Sequence, residues 1–132
     1  MAFRSSANAT TTVSTNTITA TPAGVVANDI LYAWYSTDIA GATITQTGWT
    51  QLVNADLSGP DGQTNRLFRR VATGSDNFGF SGTGGNGSNL VVVAFSGRDT
   101  ATPESTASIS KLDTTGRATG FAASITGITA SE

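Results

Sequence analysis

The residue types that most often do chemistry in proteins are nearly missing from this chain, and their absence bounds what it can do. Among 132 residues there is no histidine and no cysteine. That removes the usual general base, the usual partner of a nucleophilic serine, the commonest neutral metal ligand and every thiolate. Acid–base work would fall to carboxylates or to the single Lys111. The acids are Asp29, Asp38, Asp56, Asp61, Asp76, Asp99, Glu104, Asp113 and Glu132, scattered and mostly beside Gly, Pro, Ser or Thr. A glycosidase needs two carboxyls facing one sugar, and this spacing nominates no pair. Aspartates in such settings bond their own backbone in turns. No catalytic residue, no metal ligand and no cofactor is expected, and the chain reads as a non-enzyme.

Two loops resemble ligand sites and fall short. Asp56-Leu57-Ser58-Gly59-Pro60-Asp61-Gly62 is oxygen-rich, but it lacks the alternating ligands and closing bidentate Glu of a calcium loop. A Pro-Asp-Gly turn accounts for it. The glycine-rich run Ser81 to Asn89 has neither the Lys nor the following helix of a phosphate loop, so it reads as a connection between strands.

Arginines and aromatics offer binding chemistry instead. Arg66, Arg69 and Arg70 place three of the seven basic residues within five positions. One reading has them solvated or paired with nearby aspartates, where they contribute little. The other makes them, with Tyr32 and Tyr35, a candidate interface for an acidic partner surface, since Arg and Tyr are enriched at interfaces. Tyr32, Trp34, Tyr35 and Trp49 could stack a sugar, which would make the chain a carbohydrate-binding adhesin module. Against that, Trp34 lies inside a continuous apolar strand and Trp49 follows Gly48 at a strand start. Trp34, Trp49, Phe68 and Phe95 are therefore expected as core anchors.

Strands must position these side chains. Thr, Ser, Asn and Gly dominate, with one Lys and two Glu. Threonine suits a half-buried pleated surface, and Gly, Asn and Ser supply turns. The pattern predicts strands over 10–13, 17–21, 30–36, 42–45, 49–53, 66–72, 77–80, 90–95, 106–110 and 119–126, separated by Gly, Pro, Asn and Asp. Many short strands without helical units predict an all-β fold, an antiparallel two-sheet β-sandwich, jelly-roll-like or immunoglobulin-like. No composition shift divides residues 1–132, so one domain is expected. Residues 1–14 read as an extended arm, and 119–132 as the start of a further segment.

Net charge is −2 with 12% charged residues, which provides no phosphate-tracking surface, so nucleic acid is not expected as a partner. No apolar stretch approaches the roughly 20 residues of a membrane helix, and the first residues show no signal-peptide pattern. The runs Ile30–Tyr35 and Leu90–Phe95 are apolar at every position, whereas a sheet with one wet face alternates. Both faces must be covered, by the rest of the domain or by another subunit, and a homo-oligomer is expected.

The ordered landmarks are Thr19-Ala20-Thr21-Pro22-Ala23-Gly24-Val25, Asn28-Asp29-Ile30-Leu31-Tyr32-Ala33, Gly48-Trp49-Thr50-Gln51-Leu52, Leu67-Phe68-Arg69-Arg70-Val71-Ala72, Phe78-Gly79-Phe80-Ser81-Gly82 and Val91 to Asp99, closed by Thr102-Pro103. Over residues 10–104 this order resembles a β-rich domain of tailed-bacteriophage virion proteins of the decoration, head-fibre or tail-fibre type. That family usually has Gly-Asp where this chain has Asn28-Asp29, and a Tyr-Arg-Gly type of step near Phe95-Ser96-Gly97. The resemblance implies a structural protein of the virion, assembled in the host cytoplasm and docked on the major capsid protein or another virion protein. It carries no catalytic residues to transfer.

Overall fold

A computed structural model describes residues 2–12, 15–57, 62–83, 85, 87–97, 100–101, 106–110 and 122–126. All regular structure among them is strand: β1 (Ala2–Thr11), β2 (Thr15–Thr19), β3 (Ile30–Thr37), β4 (Ile44–Thr45), β5 (Thr50–Leu57), β6 (Gln63–Val71), β7 (Gly79–Thr83), β8 (Ser88–Ser96), β9 (Thr106–Ser110) and β10 (Ala122–Thr126). A five-stranded antiparallel sheet runs β1-β8-β3-β6-β5, and a three-stranded one runs β2-β7-β4. The pairing is nested, with β1 on β8, β2 on β7 and β3 on β6. A long hairpin rolled across two sheets gives this jelly-roll-like winding.

The two fully apolar runs are neighbours in the middle of the larger sheet, in register from Ile30↔Phe95 to Thr37↔Ser88. Having strands on both sides, β3 and β8 direct side chains alternately to two faces. Leu31, Ala33 and Tyr35 face inward with Leu90, Val92 and Ala94, and all six are essentially sealed from solvent. From the smaller sheet and its loops come Ile18, Ala20, Phe78 and Phe80, joined by Trp49 and Phe68. Phe80 is the hub: its ring centroid lies 5.1 Å from Trp49, 5.2 Å from Phe68 and 6.4 Å from Tyr35. Burying several such rings supplies a large share of the driving force for folding.

Strand parity divides the expected core anchors between two clusters. Trp49 and Phe68 lie between the sheets, but Trp34 and Phe95 belong to a second cluster on the outer face, with Ile30, Tyr32, Leu67 and Val71. Once Leu31, Ala33 and Tyr35 point inward, Trp34 must point outward. Residues 2–11, expected as an extended arm, form edge strand β1 and pair with β8 along their length, with one register shift between Phe3 and Ser5. Of the further segment expected at 119–132, β10 is described; the remainder lies outside the described residues.

Candidate interaction surface

The arginine-rich strand β6 sorts its charges by the same alternation. Leu67 and Arg69 sit opposite Trp34 and Tyr32 on the outer face, whereas Arg66 and Arg70 sit opposite Tyr35 and Leu31 on the inner one. An inward guanidinium must find acceptors, and Arg66 finds several. Its Nη1 donates to Asp56 Oδ1 at 2.7 Å, to Asn65 O at 2.9 Å and to Ala55 O at 3.3 Å, while Nη2 reaches Ala42 O at 3.4 Å. Arg70 pairs through Nε with Asp76 Oδ1 at 2.7 Å. Tyr35 is buried and its hydroxyl donates to Ser88 Oγ at 3.0 Å. The five candidate interface residues therefore do not form one surface. Arg66, Arg70 and Tyr35 hold the sandwich together, and Arg69 with buried Tyr32 remains on the outer face.

The acids are engaged in the same way. Asp76 accepts from Thr73 N at 3.1 Å, Gly74 N at 3.2 Å and Thr73 Oγ1 at 3.0 Å, closing the turn after β6. Asp29 accepts from Val26 N at 3.0 Å and from Arg4 Nη2 at 3.0 Å, which ties β1 to the loop before β3. Asn28, beside it, has φ of 71°, the left-handed region that Gly and Asn tolerate best. Turn bonding by aspartate was legible in the sequence; the arginine partners, 6 to 25 residues away, were not. Asp61, Asp99, Glu104, Lys111, Asp113 and Glu132 lie outside the described residues, as do parts of the oxygen-rich and glycine-rich loops.

Two polar clefts lie at the ends of the sandwich. One, of ≈ 290 Å³, is lined by Thr37, Asp38, Gln63, Ser88 and Asn89 among others, and the second, of ≈ 270 Å³, by Thr45, Gln46, Asn77 and Ser81 among others. Neither has an aromatic wall. The aromatic set that could have stacked a sugar is divided, with Tyr35 and Trp49 between the sheets and Tyr32 and Trp34 outside.

Among the described residues the exposed large apolar side chains are Phe3, Val26 and Ile39, and Phe3 stands on the β1 side of the outer face. Phe3 is 62% exposed and packs edge-on against half-buried Phe95, with centroids 6.2 Å apart. Phe95 in turn meets Tyr32 edge-on at 6.2 Å. Half-buried Val91 and Val93 continue the strip along β8, opposite Asn8 and Ser6 of β1. β1 ends the sheet, so no strand among the described residues pairs with its other edge. Its one charge, Arg4, is committed to Asp29, and it has no Lys or Pro of the kind that protects exposed edges from pairing. No signal in the sequence beyond the unbroken apolar runs pointed to this strip. No protein-family model matches the chain, and no curated protein or solved structure matches it either.

Proposed function

We propose that the protein is a non-enzymatic structural component of a bacteriophage virion, docking through the Phe3–Phe95 strip and the open edge of β1. The observation that carries the reading is an aromatic pair beside a ten-residue edge strand whose outer edge meets no other strand among the described residues. Such a strip offers backbone pairing for affinity and side-chain contact for specificity, the two parts of strand addition. Uncharged polar residues rather than lysines flank it, which suits packing against a protein surface and gives nothing to nucleic acid. Jelly-roll domains recur in capsid proteins, an analogy of fold that adds weight without assigning a role. Carboxylates tied up by Arg4, Arg66 and Arg70 favour a structural reading over a catalytic one.

The partner is a second copy of the chain or a virion protein such as the major capsid protein, and a trimer is the preferred self-assembly. Sedimentation equilibrium at tens of micromolar, followed by co-sedimentation with phage capsids, tests the proposal. Association that Phe3→Ser weakens is the expected result. A strictly monomeric chain that leaves capsids unbound would defeat it, and selective binding on a glycan array would favour a carbohydrate-binding module.

A further inference from the structure

The outer face of the five-stranded sheet is buried unevenly: its most exposed ring, Phe3, stands at the β1 edge, and fully buried side chains appear from β3 to β5 beside half-buried Leu52, Val53 and Val71. On the β1 side Phe3 is exposed and Val91, Val93 and Phe95 are half-buried. Toward β6 and β5, Leu67 is 3% exposed, Asn65 2% and Leu57 6%. Side chains standing on a bare sheet face keep their tips in water. The register puts Asn65, Leu67 and Leu57 on this outer face, opposite Ser36, Trp34 and Gln63. Asn65 adds an independent sign: its Nδ2 is buried and has no hydrogen-bond partner among the described residues. A buried amide donor without an acceptor costs stability, so this face is built to be covered.

We propose that the cover is the chain's own C-terminal ribbon, β9–β10, laid across the β5–β6 half of the outer face. β9 approaches β5, the edge strand on that side. The ribbon's register sets Ile109 opposite Ala123 and Ala107 opposite Ile125. Positions 107, 109, 123 and 125 therefore share one face, apolar throughout, and the other face is almost entirely Thr and Ser. A two-stranded ribbon is marginal alone and needs a surface for such a face. The link 97–105 can also make the journey. From β8 to β5 the chain passes two strands, three steps of roughly 4.8 Å each, while nine residues reach about 30 Å. The inner face is closed by the smaller sheet, which leaves the outer one.

Trp34, on the central strand of the outer face, reports on the cover. In the 132-residue chain carrying Trp49→Phe it is the sole tryptophan, and acrylamide quenching reads its shielding. Adding Ile109→Asp is expected to raise the quenching constant several-fold and to induce binding of a dye for exposed apolar surface, at constant β-type circular dichroism. The matching Trp34→Phe background, where Trp49 lies between the sheets, should show no change and so controls for general unfolding. Unchanged Trp34 quenching with Ile109→Asp in a folded protein would overturn the proposal. Shielding of Trp34 that grows with protein concentration would overturn it too, because a second copy would then be the cover.

Discussion

The two faces of the five-stranded sheet use the same strands one residue out of step, yet they are filled in different ways. Inward, small residues alternate with large ones: Ala33 and Ala94 sit beside Leu31, Tyr35, Leu90 and Val92, and rings from the smaller sheet fill the space above them. Outward, β3 presents only Ile30, Tyr32 and Trp34 before Ser36, and burial falls from complete at Ile30 to slight at Phe3. The inner face interlocks with a partner fixed by topology. The outer face is a surface with an amide donor unmet and an aromatic pair in water. Filling a face with carbon is thus not the same as giving it a partner, and the second condition separates the face that holds the fold from the face that serves assembly.

The strongest way to break that comparison is to remove its best-packed ring. Phe80→Ala should cost about 3–5 kcal/mol, the usual range for deleting a phenyl group from a rigid core, because three aromatic neighbours surround it. Phe95→Ala, on the outer face, should cost no more than about 2 kcal/mol, since a half-buried ring has less to lose and its site can relax. Equilibrium urea unfolding of both variants measures the difference. Equal costs would mean that the faces are energetically equivalent.

A smaller effect is expected where the inner face meets backbone. A Cβ on Gly82 would clash with the Tyr35 hydroxyl oxygen and lie 3.2 Å from Ile44 Cδ1. Tyr35 is 1% exposed and held by Ser88, so its ring has little freedom to retreat. Gly82→Ala should destabilise by about 1–3 kcal/mol, the cost of overpacking, and Tyr35→Phe in the same chain should recover part of the loss by removing the clashing oxygen. Thermal unfolding of the single and double variants reads the recovery.

These contrasts also explain what was legible in advance. Alternation and turn residues placed a strand on each of the ten observed ones, with Thr106–Ser110 matching and Ile30–Thr37 longer by one residue, but β1, expected at 10–13, runs over Ala2–Thr11 and β7, expected at 77–80, over Gly79–Thr83. These signals did not separate Trp49 and Phe68, between the sheets, from Trp34 and Phe95 on the outer face, because a strand apolar at every position carries no parity information. Only the pairing with β6 and β8 decides which half faces in. Phe80 was placed at the end of a strand but not among the core anchors, because its glycine and serine neighbours give no apolar run to mark it. The destiny of Arg66 could not be read either, since its acceptors Ala42 O and Asp56 come from other loops and strands.

Asn65 tests whether the outer face is meant to be covered by something apolar or by something polar. Replacing it with leucine removes the unmet donor and keeps the same branched heavy-atom shape, and a change of this kind is near neutral or stabilising when the lost group had no partner. Asn65→Leu should shift the unfolding free energy by less than about 1 kcal/mol, in the stabilising direction. A clear loss of stability, measured in urea, would show that the amide is satisfied in solution by a group of the cover.

Phe3→Ser is expected to move stability least and association most. The side chain is 62% exposed, so its truncation removes little buried area, and surface changes of this sort stay within about 0.5 kcal/mol. Its ring nevertheless caps Phe95 edge-on beside the open edge of β1. In a complex, the same ring would be desolvated against a partner, and a centrally buried aromatic can cost more than about 1 kcal/mol of binding free energy when lost. An unchanged urea midpoint together with a weakened self-association or capsid affinity is the signature of a residue that serves assembly. If both quantities stay unchanged, the strip is an ordinary apolar fringe and the docking surface lies elsewhere. If stability falls as far as it does for Phe95→Ala, Phe3 belongs to the packing of the domain, and the boundary between the holding face and the serving face lies further out than β1.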